Sequence, residues 1–101
     1  MERIIENNQL TLIMTEGLTA NKIPEYNQQL ESLLLEQDHY QKCILNLSQT
    51  NNIDSTGVTF VISLYKKMKS LEKEFSVAGA SHEIQDLFHL TKLDQFFSLT
   101  E

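Results

Sequence analysis

The sequence predicts an α/β domain whose sheet is mixed and mostly parallel. Short apolar segments alternate along the chain with longer segments in which apolar residues recur every three or four positions, the order expected of strand, helix and strand. Parallel neighbouring strands need helical crossovers, so this order favours a largely parallel sheet. With 101 residues, 41% of them hydrophobic and 22% charged, the chain is expected to form one core and one domain over residues 1–101.

The first third of the chain predicts a hairpin followed by a helix. Ile4-Ile5 and the segment from Leu10 to Met14 have the composition of short strands, and the polar turn 6–9 joins them. Mixed sheets often carry such an antiparallel pair. Pro24 suits the first turn of a helix, where its missing N–H costs nothing, and helical spacing of apolar residues continues to about Glu36.

The middle of the chain predicts a buried strand and a long helix. The strand Lys42 to Leu47 places Cys43, Leu45 and Leu47 on one face and Ile44 on the other. The helix is predicted from Ser55 to Lys73. Its inward positions are predicted to be Val58, Val61, Ile62, Tyr65, Met68 and Leu71.

The last third continues the alternation. Phe75 to Ala78 predicts a strand and Gly79-Ala80 a turn, after which Ser81 is the predicted N-cap of a third helix. Residues 95–99 predict a final strand, in which one of Phe96 and Phe97 belongs to the core.

Composition and charge exclude several functions. Eight Lys and Arg against fourteen Asp and Glu give a formal charge of −6, so affinity for nucleic acid phosphates is not expected. The apolar stretches are much shorter than the roughly 20 residues that span a bilayer. The first residues lack the pattern of a signal peptide, and we expect a cytoplasmic protein. The lone Cys43 cannot close an internal disulfide and is interpreted as a small buried hydrophobe.

The polar segment 52–57 separates the buried strand from the long helix. Side chains such as Asp54, Ser55 and Thr56 can accept hydrogen bonds from the free N–H groups of a helix start. In parallel sheets, functional groups collect where strands end and helices begin. These hydroxyls therefore have two interpretations: they only cap the helix, or they stand at the surface to be modified or recognised by a partner.

The tetrad Asp54-Ser55-Thr56-Gly57, opening an amphipathic helix after a buried strand, resembles the STAS domain of bacterial anti-sigma factor antagonists. Gly17-Leu18 and Pro24 extend the resemblance toward the N-terminus. Residues 87–93, Leu-Phe-His-Leu-Thr-Lys-Leu, are similar to the family's Leu-Phe-x-x-Thr-Gly-Leu stretch. The resemblance covers nearly the whole chain.

That resemblance implies a partner switch. The serine after the aspartate, here Ser55, is the phosphoacceptor of an anti-sigma factor that is itself an ATP-dependent serine kinase. The unphosphorylated antagonist binds the kinase and frees the sigma factor, the phosphorylated form is released, and a metal-dependent serine phosphatase resets the cycle. The implied partner-binding residues are Thr19, Asp54, Ser55, Thr56 and Gly57, and no cofactor is implied.

Other functions were weighed against this one. Catalysis by Ser55 is disfavoured because no histidine is near it in sequence, and neither a Gly-x-Ser-x-Gly elbow nor a phosphate-binding loop is present. His39, His82 and His89 lack metal-ligand spacing. Two alternatives stay open: a STAS scaffold without a phosphoserine cycle, as in a stressosome or lipid-transport complex, and a small anionic ligand at the same helix N-terminus. The lysines after Ser63 are interpreted as a solvated helix face rather than a docking stripe.

Overall fold

A computed structural model describes residues 1–34 and 39–100, and it describes side chains for 1–32 and 39–99. Within those residues the chain forms five strands and three α-helices. In chain order they are β1 (Glu2–Glu6), β2 (Gln9–Ile13), α1 (Ile23–Leu34), β3 (Lys42–Asn46), α2 (Ser55–Ser70), β4 (Glu74–Ala78), α3 (His82–Leu90) and β5 (Ser98–Thr100).

The sheet has the strand order β1-β2-β3-β4-β5. β1 and β2 are antiparallel, and the other neighbouring pairs are parallel. Asn7 and Asn8 connect the hairpin with φ of 56° and 63°, the left-handed conformation that a tight two-residue hairpin turn requires and that Asn tolerates well. The predicted fold class, including its antiparallel first pair, is confirmed.

One face of the sheet supplies the core. Alternate strand residues are buried there, and all three helices add side chains to the same cluster. The buried apolar strand residues are Leu10, Leu12, Cys43, Leu45 and Val77. Cys43 is free and fully buried, as predicted, and burial raises the pKa of its thiol to about 12. A thiol of that kind stays protonated and acts as a small hydrophobe.

The inward face of α2 differs from the prediction. Phe60 and Leu64 are buried although they were not assigned to the core. Four residues that were assigned to it are only half-buried: Val58, Ile62, Tyr65 and Leu71. The reason is that α2 packs against α1 as well as against the sheet: the ring centroid of Phe60 lies 6.1 Å from that of Tyr26 on α1. A helix with two packing partners buries a wider stripe than one row of residues.

The ends of other elements also shift. α1 begins one residue earlier than predicted, with Pro24 in its first turn, and its predicted end at Glu36 lies outside the described residues. The predicted last strand begins later, because a 3-10 turn (Leu93–Gln95) occupies its first position. Of the two adjacent phenylalanines, Phe97 is buried and Phe96 is 58% exposed.

Helices α2 and α3 each end at a residue with left-handed backbone. Glu72 follows α2 with φ of 59°. The N–H of Glu72 donates to the carbonyl of Lys69 and the N–H of Lys73 to that of Met68, the pair of hydrogen bonds that defines a Schellman motif. Lys92 follows α3 with φ of 61°. Glycine usually holds this left-handed position, so a glutamate or a lysine there has a strained backbone. Helix α2, predicted to reach Lys73, ends three residues earlier, at Ser70.

Replacing Lys92 by Gly should stabilise the fold, because glycine adopts this backbone conformation without the steric cost that a side chain incurs. We expect Lys92→Gly to raise the free energy of unfolding by about 1 kcal/mol in urea titrations. The matched control is Lys92→Ala, which removes the same charge but keeps a Cβ. Equal gains in the two variants would show that charge, not backbone strain, is responsible.

Candidate functional site

Two loops meet at the carboxyl ends of β2 and β3. The loop after β2 contains Leu18, whose N–H donates to the carbonyl of Asn52 at 3.0 Å and whose carbonyl accepts from the N–H of Asp54 at 3.2 Å. These bonds make Leu18 and Ile53 a short parallel bridge. Because the Leu18 side chain is fully buried, the two loops are fixed to the core as one unit.

The Asp54 side chain joins these loops to the start of α2. Its Oδ1 accepts from the N–H of Gly57 at 2.9 Å, as an N-cap does, and its Oδ2 accepts from the N–H of Ala20 in the other loop at 2.9 Å. The hydrogen bonds from Ala20 and Gly57 lower the pKa of this carboxyl group. The carboxylate is therefore charged and held at both oxygens.

Gly57 is the residue that lets α2 approach the other loop. A Cβ built at this position would lie 2.0 Å from the carbonyl oxygen of Leu18 and 2.8 Å from Cγ1 of Ile53. At Gly17, across the junction, a Cβ would lie 2.0 Å from Oδ1 of Asn52, the end of an exposed side chain that can move away. The backbone contact at Gly57 therefore makes the stricter demand for glycine.

Ser55 and Thr56 form the exposed first turn of α2. Among the described residues the Ser55 hydroxyl has no hydrogen bond, whereas the Ser55 carbonyl accepts from Oγ1 of Thr59 at 3.0 Å. Thr19 is half-buried beside Ala20, and its hydroxyl donates to the side chain of Asn21. The structure thus brings together all five residues that the sequence nominated.

Sequence reasoning missed the contacts that hold these residues in place. Leu18, Ala20 and Asn52 act through backbone groups, and a backbone N–H or carbonyl carries no residue-type signal. A neighbouring ion pair was missed as well: Nζ of Lys22 lies 3.1 Å from the Glu16 carboxylate, which raises the pKa of Lys22. Because Lys22 pairs with it, Glu16 adds no net charge to this edge of the molecule.

The arrangement shows no catalytic or metal-binding geometry in residues 1–34 and 39–100. The Ser55 hydroxyl contacts no base there, so a nucleophile paired with a base is not formed. The same residues include no group of three or more His, Cys, Asp or Glu side chains that could hold a metal ion. None of their helices has both the length and the apolar character needed to cross a membrane.

Comparison with known proteins defines the class of this domain. Residues 3–101 match the sequence model of the STAS domain family. The chain belongs to that family.

Several solved structures share the fold of this chain. TM1081 of Thermotoga maritima, proposed as an anti-sigma factor antagonist, aligns with a TM-score of 0.89 at 19% identity, over 99% of this chain and 85% of that one. The anti-sigma factor antagonist SpoIIAA in its unphosphorylated form aligns with a TM-score of 0.79 at 11% identity, over 99% and 87%. Phosphorylated SpoIIAA, described as a Bacillus cell fate determinant, aligns with a TM-score of 0.74 at 12% identity, over 99% of this chain and 90% of that one.

Replacing Gly57 by Ala should destabilise the domain. In an ordinary helix position this change stabilises by about 1 kcal/mol, but here the new methyl would collide with the Leu18 carbonyl. We expect the free energy of unfolding to fall by about 2 kcal/mol in urea titrations. Ser55→Ala, two residues away and fully exposed, should stay within about 0.5 kcal/mol of wild type. A stabilised Gly57→Ala variant would contradict the close contact.

Asp54 should make stability depend on pH below neutrality. Its carboxyl pKa is lower in the folded than in the unfolded chain, so its contribution is complete above about pH 4 and is lost as pH falls through the folded pKa. Asp54→Asn should therefore lose less stability than wild type between pH 7 and pH 3, measured as the shift in urea midpoint. Asp86→Asn makes the same charge change at an exposed site of α3. Parallel curves for wild type and Asp54→Asn would contradict this assignment.

Proposed function

We propose that this protein is an anti-sigma factor antagonist in a partner-switching pathway. In its unphosphorylated form it binds an anti-sigma factor serine kinase, and phosphorylation of Ser55 by that kinase releases it. A metal-dependent serine phosphatase restores the hydroxyl. The protein acts as a substrate in this cycle and not as an enzyme.

The observation that carries the proposal is that Asp54 makes the structural hydrogen bonds at the start of α2 while the adjacent Ser55 hydroxyl makes none. Asp54 makes both cap and loop contacts, whereas the Ser55 hydroxyl is exposed and has no hydrogen bond among the described residues. A kinase therefore meets a hydroxyl that the fold does not use. Attaching a phosphate there breaks no hydrogen bond of the Ser55 side chain.

Charge explains how the phosphate would release a partner without unfolding the antagonist. A phosphoserine carries about −1.5 to −2 charges, which the positive end of the α2 dipole accommodates. The charge would lie beside the Asp54 carboxylate, so a partner surface that fits a neutral hydroxyl must then desolvate a dianion next to another negative charge. The cost of desolvation and charge repulsion therefore destabilises the complex with the partner, not the fold of the antagonist.

The same geometry disfavours a small anionic ligand at the start of α2. An anion would compete for N–H groups at the helix N-terminus, but the Asp54 carboxylate already accepts from Gly57 and places a negative charge there. The STAS scaffold alternative, without a phosphoserine cycle, makes a different prediction: partner binding should be indifferent to charge at Ser55.

Phosphorylation should occur at Ser55 and abolish kinase binding. Incubation with ATP and the anti-sigma factor kinase encoded with this protein should add one phosphate, located by tandem mass spectrometry, and Ser55→Ala should remain unmodified. In calorimetry, Ser55→Ala should bind the kinase nearly as wild type does. Ser55→Glu should bind at least about tenfold more weakly, because about 1.4 kcal/mol of repulsion and desolvation is a factor of ten.

Ser63→Glu is the matched control for that experiment. It adds the same charge at an exposed serine on the same helix, two turns further along, and should leave binding near wild type. If Ser55 stays unmodified and Ser55→Glu binds as wild type does, the switch is wrong and the scaffold alternative stands. If Ser63→Glu weakens binding equally, the effect reflects total charge and not position.

A further inference from the structure

The C-terminal half of α2 borders a cleft that the proposed switch does not use. It lies between α2, the first residues of β3 and β4, and the segment that leads into β5, and we name it the aromatic-lysine cleft after Lys42, Tyr65, Lys66, Lys69 and Phe96. From the start of α2 to Tyr65 the helix rises roughly 15 Å. The cleft therefore lies toward the opposite end of the helix from the phosphoacceptor.

Part of this cleft is an apolar hollow of about 150 Å³. Its walls are formed by Ile62, Tyr65, Leu93, Phe96, Phe97 and the stem of Lys66. The Tyr65 ring lies 6.0 Å from that of Phe96 and 5.9 Å from that of Phe97, and Phe96 stays 58% exposed. A hollow of that size, lined by such side chains, holds a benzene-sized group.

The rest of the cleft is lined mainly by basic side chains, although the protein as a whole is acidic. On the other side of the shared rings of Tyr65, Phe96 and Phe97 lies a space of about 610 Å³ bordered by Lys42, Lys69, Lys73 and Glu74. Together the two parts are lined by four of the chain's eight basic residues and by one of its fourteen acidic residues, in a protein of net charge −6. This is a local basic surface on an acidic protein.

Several of these lysines are available to a partner. In the part of the chain that the structure describes, Lys42, Lys66 and Lys69 form no ion pair. Lys69 lies 5.9 Å from the Tyr65 ring centroid, so its ammonium group is already positioned over the cleft. Lys73 is used differently: its Nζ donates to the Tyr40 carbonyl and lies 4.6 Å from the Tyr40 ring centroid.

We propose that the aromatic-lysine cleft binds an acidic segment of a partner protein. One aromatic or branched aliphatic side chain of that segment fills the hollow, and its carboxylates lie against Lys42, Lys66 and Lys69. Charge complementarity selects an anionic occupant. The concave shape favours a peptide over an anionic membrane surface.

The test uses a synthetic peptide in which one Phe is flanked by three Glu or Asp residues on each side. Titrated into the ¹⁵N-labelled full chain at low salt, it should shift the amide signals of Tyr65, Lys69 and Phe96 and leave those of Ser55 and Thr56 unchanged. The same peptide with Ala in place of Phe should bind several-fold more weakly. Raising the salt should weaken both complexes.

Charge-reversal variants decide whether the cleft is responsible. Lys69→Glu should weaken peptide binding about fivefold or more, because an attraction becomes a repulsion. Lys67→Glu is its matched control: Lys67 also lies in the last turn of α2, but it borders the groove between α1 and α2. At a salt concentration that screens long-range charge effects, Lys67→Glu should bind the peptide within about twofold of the wild-type affinity.

A second pair of variants tests the hollow. Phe96→Ala should weaken binding, whereas Leu90→Ala, which truncates a side chain 82% exposed on α3, should not. The proposal is overturned if the peptide shifts no cleft signals, or if Lys67→Glu and Lys69→Glu lose affinity equally. It is also overturned if phosphatidylserine vesicles bind in a Lys69-dependent way and the peptide does not, or if sedimentation shows a dimer that Lys69→Glu dissociates.

Discussion

The pair of hydrogen bonds accepted by the Asp54 carboxylate is the interaction on which this edge of the molecule depends. One oxygen begins α2 by accepting from Gly57, and the other holds the loop after β2 by accepting from Ala20. The absence of a Cβ at Gly57 lets the helix come close enough for the Leu18 carbonyl to pack against it. A carboxylate is suited to this position because it accepts at both oxygens, and both bonds favour its charged form.

Because Asp54 provides the cap, the neighbouring serine is left without a structural task. A serine at the N-cap would have its hydroxyl bonded to the helix, and modifying it would disturb the helix start. Ser55 follows the cap, at the first helical position, where its side chain points to solvent. Under the proposed switch, structural stability and signalling would be separated onto these adjacent residues, which is the condition for a modification that changes binding without unfolding the protein.

The sequence predicted the order of elements and a polar cap at the start of α2, because apolar periodicity and helix-start chemistry are carried by side chains. The partner-binding roles of Thr19 and of residues 54–57 came from the family resemblance and stay predictions. It did not predict that Ala20 would meet Asp54, since that contact is made by a backbone N–H. It also missed the burial of Phe60, which depends on the ring of Tyr26 in another helix. The late start of β5 follows from the left-handed turn at Lys92, a conformation that a lysine gives no reason to expect.

Helix α2 separates two surfaces of opposite character. Its N-terminal turn carries the Asp54 carboxylate and its last turn carries Lys67 and Lys69, the distribution that a helix dipole favours at each end. The 16 residues of α2 span roughly 24 Å. A partner contact confined to the first turn of α2 would leave the aromatic-lysine cleft accessible. Because charge at that distance is largely screened at physiological salt, phosphate on Ser55 would under the proposed switch release that partner without displacing an acidic segment from the cleft.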